Sequence, residues 1–442
     1  MTAEHHDEAE SAFRRAVALA PGMAEAWSNL GLMLEHRGDD AEAEACYRQA
    51  LALRPHLSET QVNLGGLLGR HKRFDEAEAA YAQALRLDPH QAGTWSNLGV
   101  LYASQRLDEE AEACYERALA ITPDLPRARF NFGVMRLRQG RLEEGWLGLE
   151  ARDWYAGLNR QLGCPRWSGE PLDGRSILVA YEVGHGDMLQ FVRYAPLLKA
   201  RGAGAVTLLC HPALKRLFGT LAGVDRLLGF DERWPETHWD MWTPLMSLPF
   251  LFDTRLDSLP APLPYLRAEP GWTDAWAEAL PPSPGLRVGL AWKGNPGFEN
   301  DADRSLASLA VLAPLWQVAG VQFVSLQKGA GEDEAASPPA GLALAHLGGR
   351  MADFADAAGI MAHLDLVIAV DTAMAHLAGA LNKPCWVLLP HFQTDWRWLE
   401  DRTDSPWYPG VMRLFRQSAD RDWRPVVDAV AQALQSLATN RP

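Results

Sequence analysis

Two short segments carry residue types able to move a proton and to hold an anion. The first, Glu182-Val183-Gly184-His185-Gly186-Asp187, lies between the apolar run Ser176–Ala180 and a helical pattern over Met188–Ala200. Gly184 and Gly186 let a ligand come close to the backbone, and unpaired amides at the start of the following helix favour an anion or a polar group. Asp187 is the candidate proton acceptor, with helix capping as the alternative use of its carboxylate. His185 stands between a site residue and a surface one. The segment is not a dinucleotide fingerprint, because Leu189 occupies the third glycine position and no acid follows at the ribose-binding distance. Hydride chemistry is thereby disfavoured.

The second segment is Val370-Asp371-Thr372-Ala373-Met374-Ala375-His376, where an apolar strand feeds a helix whose first turn is small. Amides at Ala373 and Met374, aided by the helix dipole, suit a diphosphate; Thr372 adds a hydroxyl, and His376 falls one turn further along the same face. Asp371 suits a sugar or ribose hydroxyl, or a cap. Counter-charges and polar groups stand at other strand ends: Lys293 and Asn295 in Ala291-Trp292-Lys293-Gly294-Asn295, Gln327 and Lys328 in Ser325-Leu326-Gln327-Lys328-Gly329, and Arg304. Asp301-Ala302-Asp303 and Asp420-Arg421-Asp422 match a metal-binding Asp-x-Asp pattern, but neither follows a strand, so no metal is expected. Asp395-Trp396-Arg397-Trp398 offers aromatic faces suited either to a sugar or base or to packing between domains.

These loops need strands and helices to aim them. Short apolar runs at Ser176–Ala180, Val206–Cys210, Arg287–Trp292, Gln322–Leu326, Leu366–Val370 and Cys385–Leu389 alternate with helical patterns, including Pro212–Leu221 and Thr372–Leu381. That alternation predicts parallel sheets with helices on both faces, whose ligands bind at the carboxyl ends of the strands. Pro281-Pro282-Ser283-Pro284 punctuates the series, so two Rossmann-like domains are expected, 172–282 and 285–442, facing across a cleft. The tail from Asp422 to Leu437 has helical spacing and is expected to cross back to the first of them.

The first third reads differently. Pro21, Pro55, Pro89 and Pro123 recur every 34 residues, in register with Asn29/Asn63/Asn97/Asn131, Gly31/Gly65/Gly99/Gly133, Phe13/Tyr47/Tyr81/Tyr115 and Ala16/Ala50/Ala84/Ala118. Trp27-Ser28-Asn29-Leu30-Gly31 with Ala43, Tyr47, Ala50 and Pro55 resembles the tetratricopeptide repeat, a helix-turn-helix unit. Three full units, 22–55, 56–89 and 90–123, are preceded by a lone second helix and followed by a partial unit in which Leu149 and Arg152 replace the aromatic and the alanine, with Trp146, Trp154 and Tyr155 nearby. We expect a solenoid over 1–155, its last unit a docking surface for the next domain, and a junction over 156–171. The Asn ladder sits at one position of the groove-lining helices, where carboxamides could hold an extended peptide by its backbone, or merely satisfy neighbouring helices. The arrangement is similar to the repeat domain of protein O-linked N-acetylglucosamine transferases.

Composition narrows the partners. A net charge of −14 is the wrong sign for neutralising phosphates of a nucleic acid, and 48% hydrophobic residues over 442 are enough for several packed cores. Cys46, Cys114, Cys164, Cys210 and Cys385 are scattered and odd in number, which suits a reducing compartment. The acidic start lacks the basic and apolar regions of a signal peptide, and Asp365 and Asp371 interrupt the most apolar stretch, so a cytoplasmic protein without a membrane span is expected.

Residues 284–418 resemble the nucleotide-binding half of family 9 glycosyltransferases, the heptosyltransferase-like group of the GT-B fold, most clearly in Asp371-Thr372-Ala373-Met374-Ala375-His376-Leu377-Ala378-Gly379-Ala380. Gly184-His185-Gly186-Asp187 is similar to the group's Gly-Asp loop on the acceptor side. The resemblance implies an α-solenoid followed by a GT-B fold. It makes Asp187 the general base, and it places the donor diphosphate on Thr372, Ala373 and His376 with Lys293 or Lys328. The nucleotide-sugar is then a substrate, and no cofactor is expected. Joined to repeats, the arrangement resembles bacterial protein glycosylators, including flagellin-modifying ones, with a protein acceptor held by the repeats. The alternatives are a non-catalytic repeat adaptor with a decayed sheet region, and a saccharide or lipid-sugar transferase whose repeats serve assembly.

Overall fold

The structure, a computed structural model, describes residues 3–152, 155–182, 184–234, 238–283 and 285–440. Trp154, Val183 and Pro284, singled out above, lie outside these residues. The chain forms two compact units, 1–135 and 136–442.

In the first unit a lone helix, Ala3–Leu19, precedes the pairs Ala24–Arg37 with Asp40–Leu53, Ser58–Arg70 with Phe74–Leu87, and Ala92–Ser104 with Asp108–Ile121. The periodic residues explain one another. A Cβ built at Gly31, Gly65 or Gly99 would lie 2.7, 2.8 and 2.8 Å from the ring of Tyr47, Tyr81 and Tyr115, so only glycine lets the paired helices close over that ring. Trp27 and Trp95 donate their indole N–H to the carbonyls of Pro21 and Pro89, at 2.9 and 3.0 Å, fixing the turn ahead of each first helix. Ala43, Ala77 and Ala111 are fully buried. Along the ladder Asn29 is exposed and Asn63, Asn97 and Asn131 are half-buried.

The second unit opens with the end of helix Pro126–Arg138 and helix Leu142–Leu149, where the repeat pattern breaks. The departures have local reasons. Arg152 is buried and pairs with Glu182 and Glu150, and it donates to Ser247 Oγ at 2.7 Å. Trp146 is buried and donates to the Thr254 carbonyl at 2.8 Å.

Two wholly parallel sheets come next. The first has β1 (Ser176–Ala180), β2 (Ala205–Cys210), β3 (Arg226–Gly229) and β4 (Met241–Pro244) in the order β3-β2-β1-β4. The second has β5 (Leu286–Ala291), β6 (Val321–Ser325), β7 (Leu344–His346), β8 (Leu366–Val370), β9 (Cys385–Leu389) and β10 (Met412–Arg416) in the order β10-β9-β8-β5-β6-β7. β8 and β9 are buried at every residue, as their unbroken apolar sequences require of central strands covered on both faces. Strand order reverses at β1/β4 and at β5/β8, the topological switch points where such sheets bind ligands.

Helix Arg424–Thr439 corrects one expectation. It stays with the second sheet, where Val426, Val427, Val430 and Leu434 share a core with Leu309, Leu312 and Leu315. Its apolar stripe is used up there, leaving nothing to bury against the first sheet.

The two sheets are joined through a buried arginine. Arg193 donates to the carbonyls of Gln190 (2.7 Å), Trp407 (2.7 Å) and Pro260 (3.2 Å) and to Tyr265 Oη (3.0 Å), while Tyr265 Oη donates to the Leu189 carbonyl at 2.7 Å. Its guanidinium also packs on the Tyr265 and Tyr408 rings, 4.6 and 4.7 Å from their centroids. Truncating it leaves several buried acceptors unpaired, so Arg193→Ala should cost about 3 kcal/mol or more in urea unfolding followed by tryptophan fluorescence.

Candidate functional site

Within the second unit the loops after β1, β5, β6 and β8 line one cavity of about 590 Å³. It brings together Gly184, His185, Gly186, Asp187, Lys293, Asn295, Arg304, Gln327, Lys328, Asp371, Thr372, Ala373, Met374 and His376, so the sequence-derived set outside the Asn ladder meets in one place.

The β1 loop leads into helix His185–Phe191, and Asp187 Oδ2 accepts the Gly184 N–H at 3.1 Å. Capping and site roles therefore coincide in one carboxylate. Asp187 Oδ1 pairs with Arg397, and the side chain keeps about a quarter of its surface exposed (26%). Burial pushes its carboxyl up, against Arg397 and the Gly184 N–H, which favour the charged form. His185 stacks edge-on against His211, with centroids 4.1 Å apart, and tilts against Phe354 at 5.1 Å. Burial and His211 bring the His185 imidazole down to about 4. His211 Nδ1 accepts the Ala213 N–H at 3.2 Å, which fixes that ring as a neutral tautomer with its other nitrogen a donor.

Facing them, β8 ends at Val370, and Thr372 caps helix Ala373–Ala380 in extended conformation. The first amides of the helix lack carbonyl partners by geometry, and Thr372 Oγ1 is buried without a partner among the described residues. His376 is buried, shares a 2.9 Å hydrogen bond between Nδ1 and Tyr408 Oη, and stacks on Trp398 at 5.3 Å. Burial first, then Arg397, Arg193 and Arg304, hold this imidazole well below its usual range, so it is neutral. Burial, with Asp395 nearby, pushes the Asp371 carboxyl up to about 7.

The polar residues on the other strand ends divide by what already holds them. Lys293 is paired with Glu334, which also accepts the Leu309 N–H. Gln327 is saturated: Oε1 accepts from Trp292 N and Lys293 N (2.9 and 3.1 Å), and Nε2 donates to the Lys293 and Ala330 carbonyls (3.0 and 2.7 Å). It clamps the β5 loop to the β6 loop and has no free amide for a ligand. Asn295 Oδ1 accepts the Gly297 N–H at 3.0 Å. Arg304 is held by Asp301 at 3.2 Å under the Phe298 ring, 4.5 Å from its centroid. Lys328 is exposed and unpaired among the described residues.

The sequence singles out the Asp395–Trp398 segment for its aromatic faces and gives no role to the Arg397 guanidinium. Its Nη1 donates to both oxygens of Asp395 (2.9 and 2.8 Å), its plane packs on Trp396 at 4.3 Å, and its Nη2 reaches Asp187 from the opposite sheet. The Asp-Trp-Arg-Trp segment thus packs between domains, and Asp395 and Arg397 also line the cavity. Phe298, half exposed at 52%, likewise lines it; its only sequence signal is position in a strand-end loop.

Comparison with known proteins fits this layout. Residues 22–89 and 63–126 match tetratricopeptide repeat families, and residues 310–388 match glycosyltransferase family 9 (heptosyltransferase). The latter span includes Gln327, Lys328 and Asp371–His376. Protein FlbA of Caulobacter vibrioides is 30% identical over 337 residues, which cover 69% of this chain and 54% of FlbA, so the chain spans about half the length of that curated relative. Among solved structures, MamA is 22% identical over 34% of this chain and 91% of its own, with a TM-score of 0.31. Pseudomonas aeruginosa pilF is 21% identical over 46% of this chain and 80% of its own, with a TM-score of 0.32. Residues 310–388 are thus similar to family 9 glycosyltransferases, and they follow a stretch similar to tetratricopeptide repeats and lie on parallel sheets consistent with GT-B. Among the described residues no helix is long and apolar enough to cross a membrane.

The buried imidazole gives a pH signature. Unfolded, His185 takes a proton below about 6.5; folded, it resists until about 4. The unfolded state therefore binds more protons in that window, and the stability held by neutral His185 is lost as pH falls from about 6.5 toward about 4. Asp187 and Asp371, with raised carboxyls, act in the opposite sense, so the comparison must be made against a variant. Between pH 7 and 4.5 wild type should lose about 1–2 kcal/mol relative to His185→Gln in urea titrations. A constant gap would contradict the buried neutral state.

Proposed function

We propose that the chain transfers a sugar from a nucleotide-activated donor to a hydroxyl of a protein acceptor. The second sheet would bind the donor, the first sheet would receive the hydroxyl, and the repeats would hold the protein. The observation that carries this reading is the facing of Asp187 and the Thr372–His376 helix start across one cavity, each at the carboxyl end of a strand at its sheet's switch point.

In this mechanism the acceptor oxygen attacks the anomeric carbon, the new C–O bond forming as the bond to the diphosphate breaks. The acceptor proton passes to the Asp187 carboxylate. Charge growing on the diphosphate is met by the amides of Ala373 and Met374, Thr372 Oγ1, Arg304 and Lys328, with no metal required. Neutral His376 donates no full charge; its ring is the packed floor under the glycine loop, since a Cβ on Gly186 would lie 3.0 Å from its Cδ2. Lys293, Asn295 and Gln327 shape the donor loops from behind, and Asp371, with a carboxyl near neutrality, suits a hydrogen bond to a sugar hydroxyl. No cofactor enters beyond the nucleotide-sugar.

On the repeats, none of the carboxamides of Asn29, Asn63, Asn97 and Asn131 is engaged by another described group. Each can donate and accept along an extended peptide. Flagellin, acceptor of the bacterial glycosylators the sequence resembles, is the first protein to test, in a cytoplasmic setting.

A thermal-shift panel of UDP, GDP, ADP, CDP and CMP tests the donor site: at about 100 times its dissociation constant the right nucleotide should add about 2.7 kcal/mol. No response from any of them, in folded protein, would remove the donor assignment. Once the donor is known, Asp187→Asn should cut transfer by about 10²–10⁴-fold while nucleotide binding persists; undiminished transfer would take Asp187 out of the base role. Asn63→Ala with Asn97→Ala should raise the acceptor KM several-fold and leave the nucleotide response unchanged.

A further inference from the structure

Arg397 stands between two claims on its charge. Asp395 holds Nη1 through both carboxylate oxygens, at 2.9 and 2.8 Å, and also caps the Arg397 amide at 2.9 Å, so the guanidinium is anchored from its own loop. The rings of Trp396 and Phe191, stacked on each other, pack against it with centroids 4.3 and 5.4 Å from its Cζ. Nη2 is given to Asp187 Oδ1, across the junction of the two sheets. Nε is buried and has no partner among the described residues, although only 7% of the side chain is exposed. The same cavity is lined by Thr372, Ala373 and Met374, and Thr372 Oγ1 is a second buried polar atom there without a partner. An anchored cation with a buried, partnerless Nε, beside a helix start whose first amides lack carbonyl partners, is arranged for a polyanion.

We propose that Asp187 and the donor diphosphate compete for Arg397, so that a bound donor draws the guanidinium from Asp187 and frees that carboxylate for the acceptor proton. This rests on the donor and base assignments above. Asp395 keeps Arg397 in place while Nη2 passes from Asp187 to the diphosphate and Nε gains a partner there. A diphosphate carries more charge than one carboxylate, and the helix amides and Thr372 fix its position, so it is the stronger claimant. A carboxylate relieved of its cation is the better proton acceptor. Donor would then bind before acceptor, and the nucleophile is activated only when there is a sugar to receive it. Arg397 is in this sense a positioning residue for Asp187 and a direct contact for the donor. Coupling of this kind is reciprocal: whatever weakens Asp187's hold must tighten the diphosphate.

The test is calorimetric titration of the full chain with inorganic pyrophosphate, which needs no knowledge of the base, and in parallel with UDP, GDP, ADP and CDP at fixed ionic strength. Asp187→Asn should bind pyrophosphate and the preferred nucleotide roughly 5-fold or more tighter than wild type. Arg397→Gln should weaken binding, and adding Asp187→Asn to it should bring no further gain; Arg397→Lys, which keeps the charge, should retain part of it. Circular dichroism and thermal midpoints establish that each variant is folded. Unchanged or weaker binding by Asp187→Asn, or an equal gain with and without Arg397, overturns the competition. If binding is weakened by Thr372→Val and Lys328→Ala yet indifferent to Asp187→Asn, the donor site stands and only the competition falls. If no probe binds wild type or any variant, both fall.

Discussion

Helix His185–Phe191 of the first sheet lies against helix Ala373–Ala380 of the second, and the rest of the site depends on how closely they approach. Gly186 sits where a Cβ would be 3.0 Å from His376 Cδ2 and 3.7 Å from Ala373 Cα. A side chain there would press on the His376 ring, which would have to give by a few tenths of an ångström. Beneath the contact, Ala375 and Ala378 are fully buried, and Gly379 meets the Tyr408 ring so closely that no Cβ fits. Small residues on one helix, which sequence alone reads as indifferent to chemistry, are what permit Asp187 and Thr372 to share a cavity. Arg193 then holds this arrangement from the side, through carbonyls and aromatic faces rather than a carboxylate.

Charge is distributed unevenly around that contact. The cations lining the cavity, Lys293, Arg304, Lys328 and Arg397, all come from the second sheet's side. The first sheet's side gives Asp187 and two imidazoles, His185 and His211, both brought down by burial. Of the cations, Lys293 is committed to Glu334, and Arg304 and Arg397 are tied to acids beside them, which leaves Lys328 exposed and unpaired among the described residues. The proposed donor side thus holds fixed cations beside the acids that anchor them, and the proposed acceptor side one carboxylate and two imidazoles.

Legibility in the sequence tracks the unbroken apolar run. β8 and β9 are buried on both faces and appear as unbroken apolar runs, whereas β3 and β10 at sheet edges, and the short β4 and β7, carry arginine, proline or histidine and do not stand out as strands. The repeat is legible because glycine and tyrosine answer each other at the same interval in every unit. The candidate loops are legible because they follow central strands. Gln327 shows the limit: strand-end placement marks it as a ligand contact, but all its hydrogen bonds go to backbone, a fact that depends on two loops meeting. Arg397 shows another. It lies 210 residues from Asp187, and nothing in either segment names the other. The tail is misplaced for a related reason, since an apolar stripe says that a helix must be covered and not by which sheet.

The central claim is that the donor's diphosphate rests on the start of helix Ala373–Ala380, opposite Asp187. A crystal structure with the nucleoside diphosphate that stabilises the protein most would test it directly. The account predicts phosphate oxygens within hydrogen-bonding distance of the Ala373 and Met374 amides and Thr372 Oγ1, with the Asp187 carboxylate facing the site of the missing sugar. A diphosphate seated elsewhere, leaving those amides to water, would contradict it.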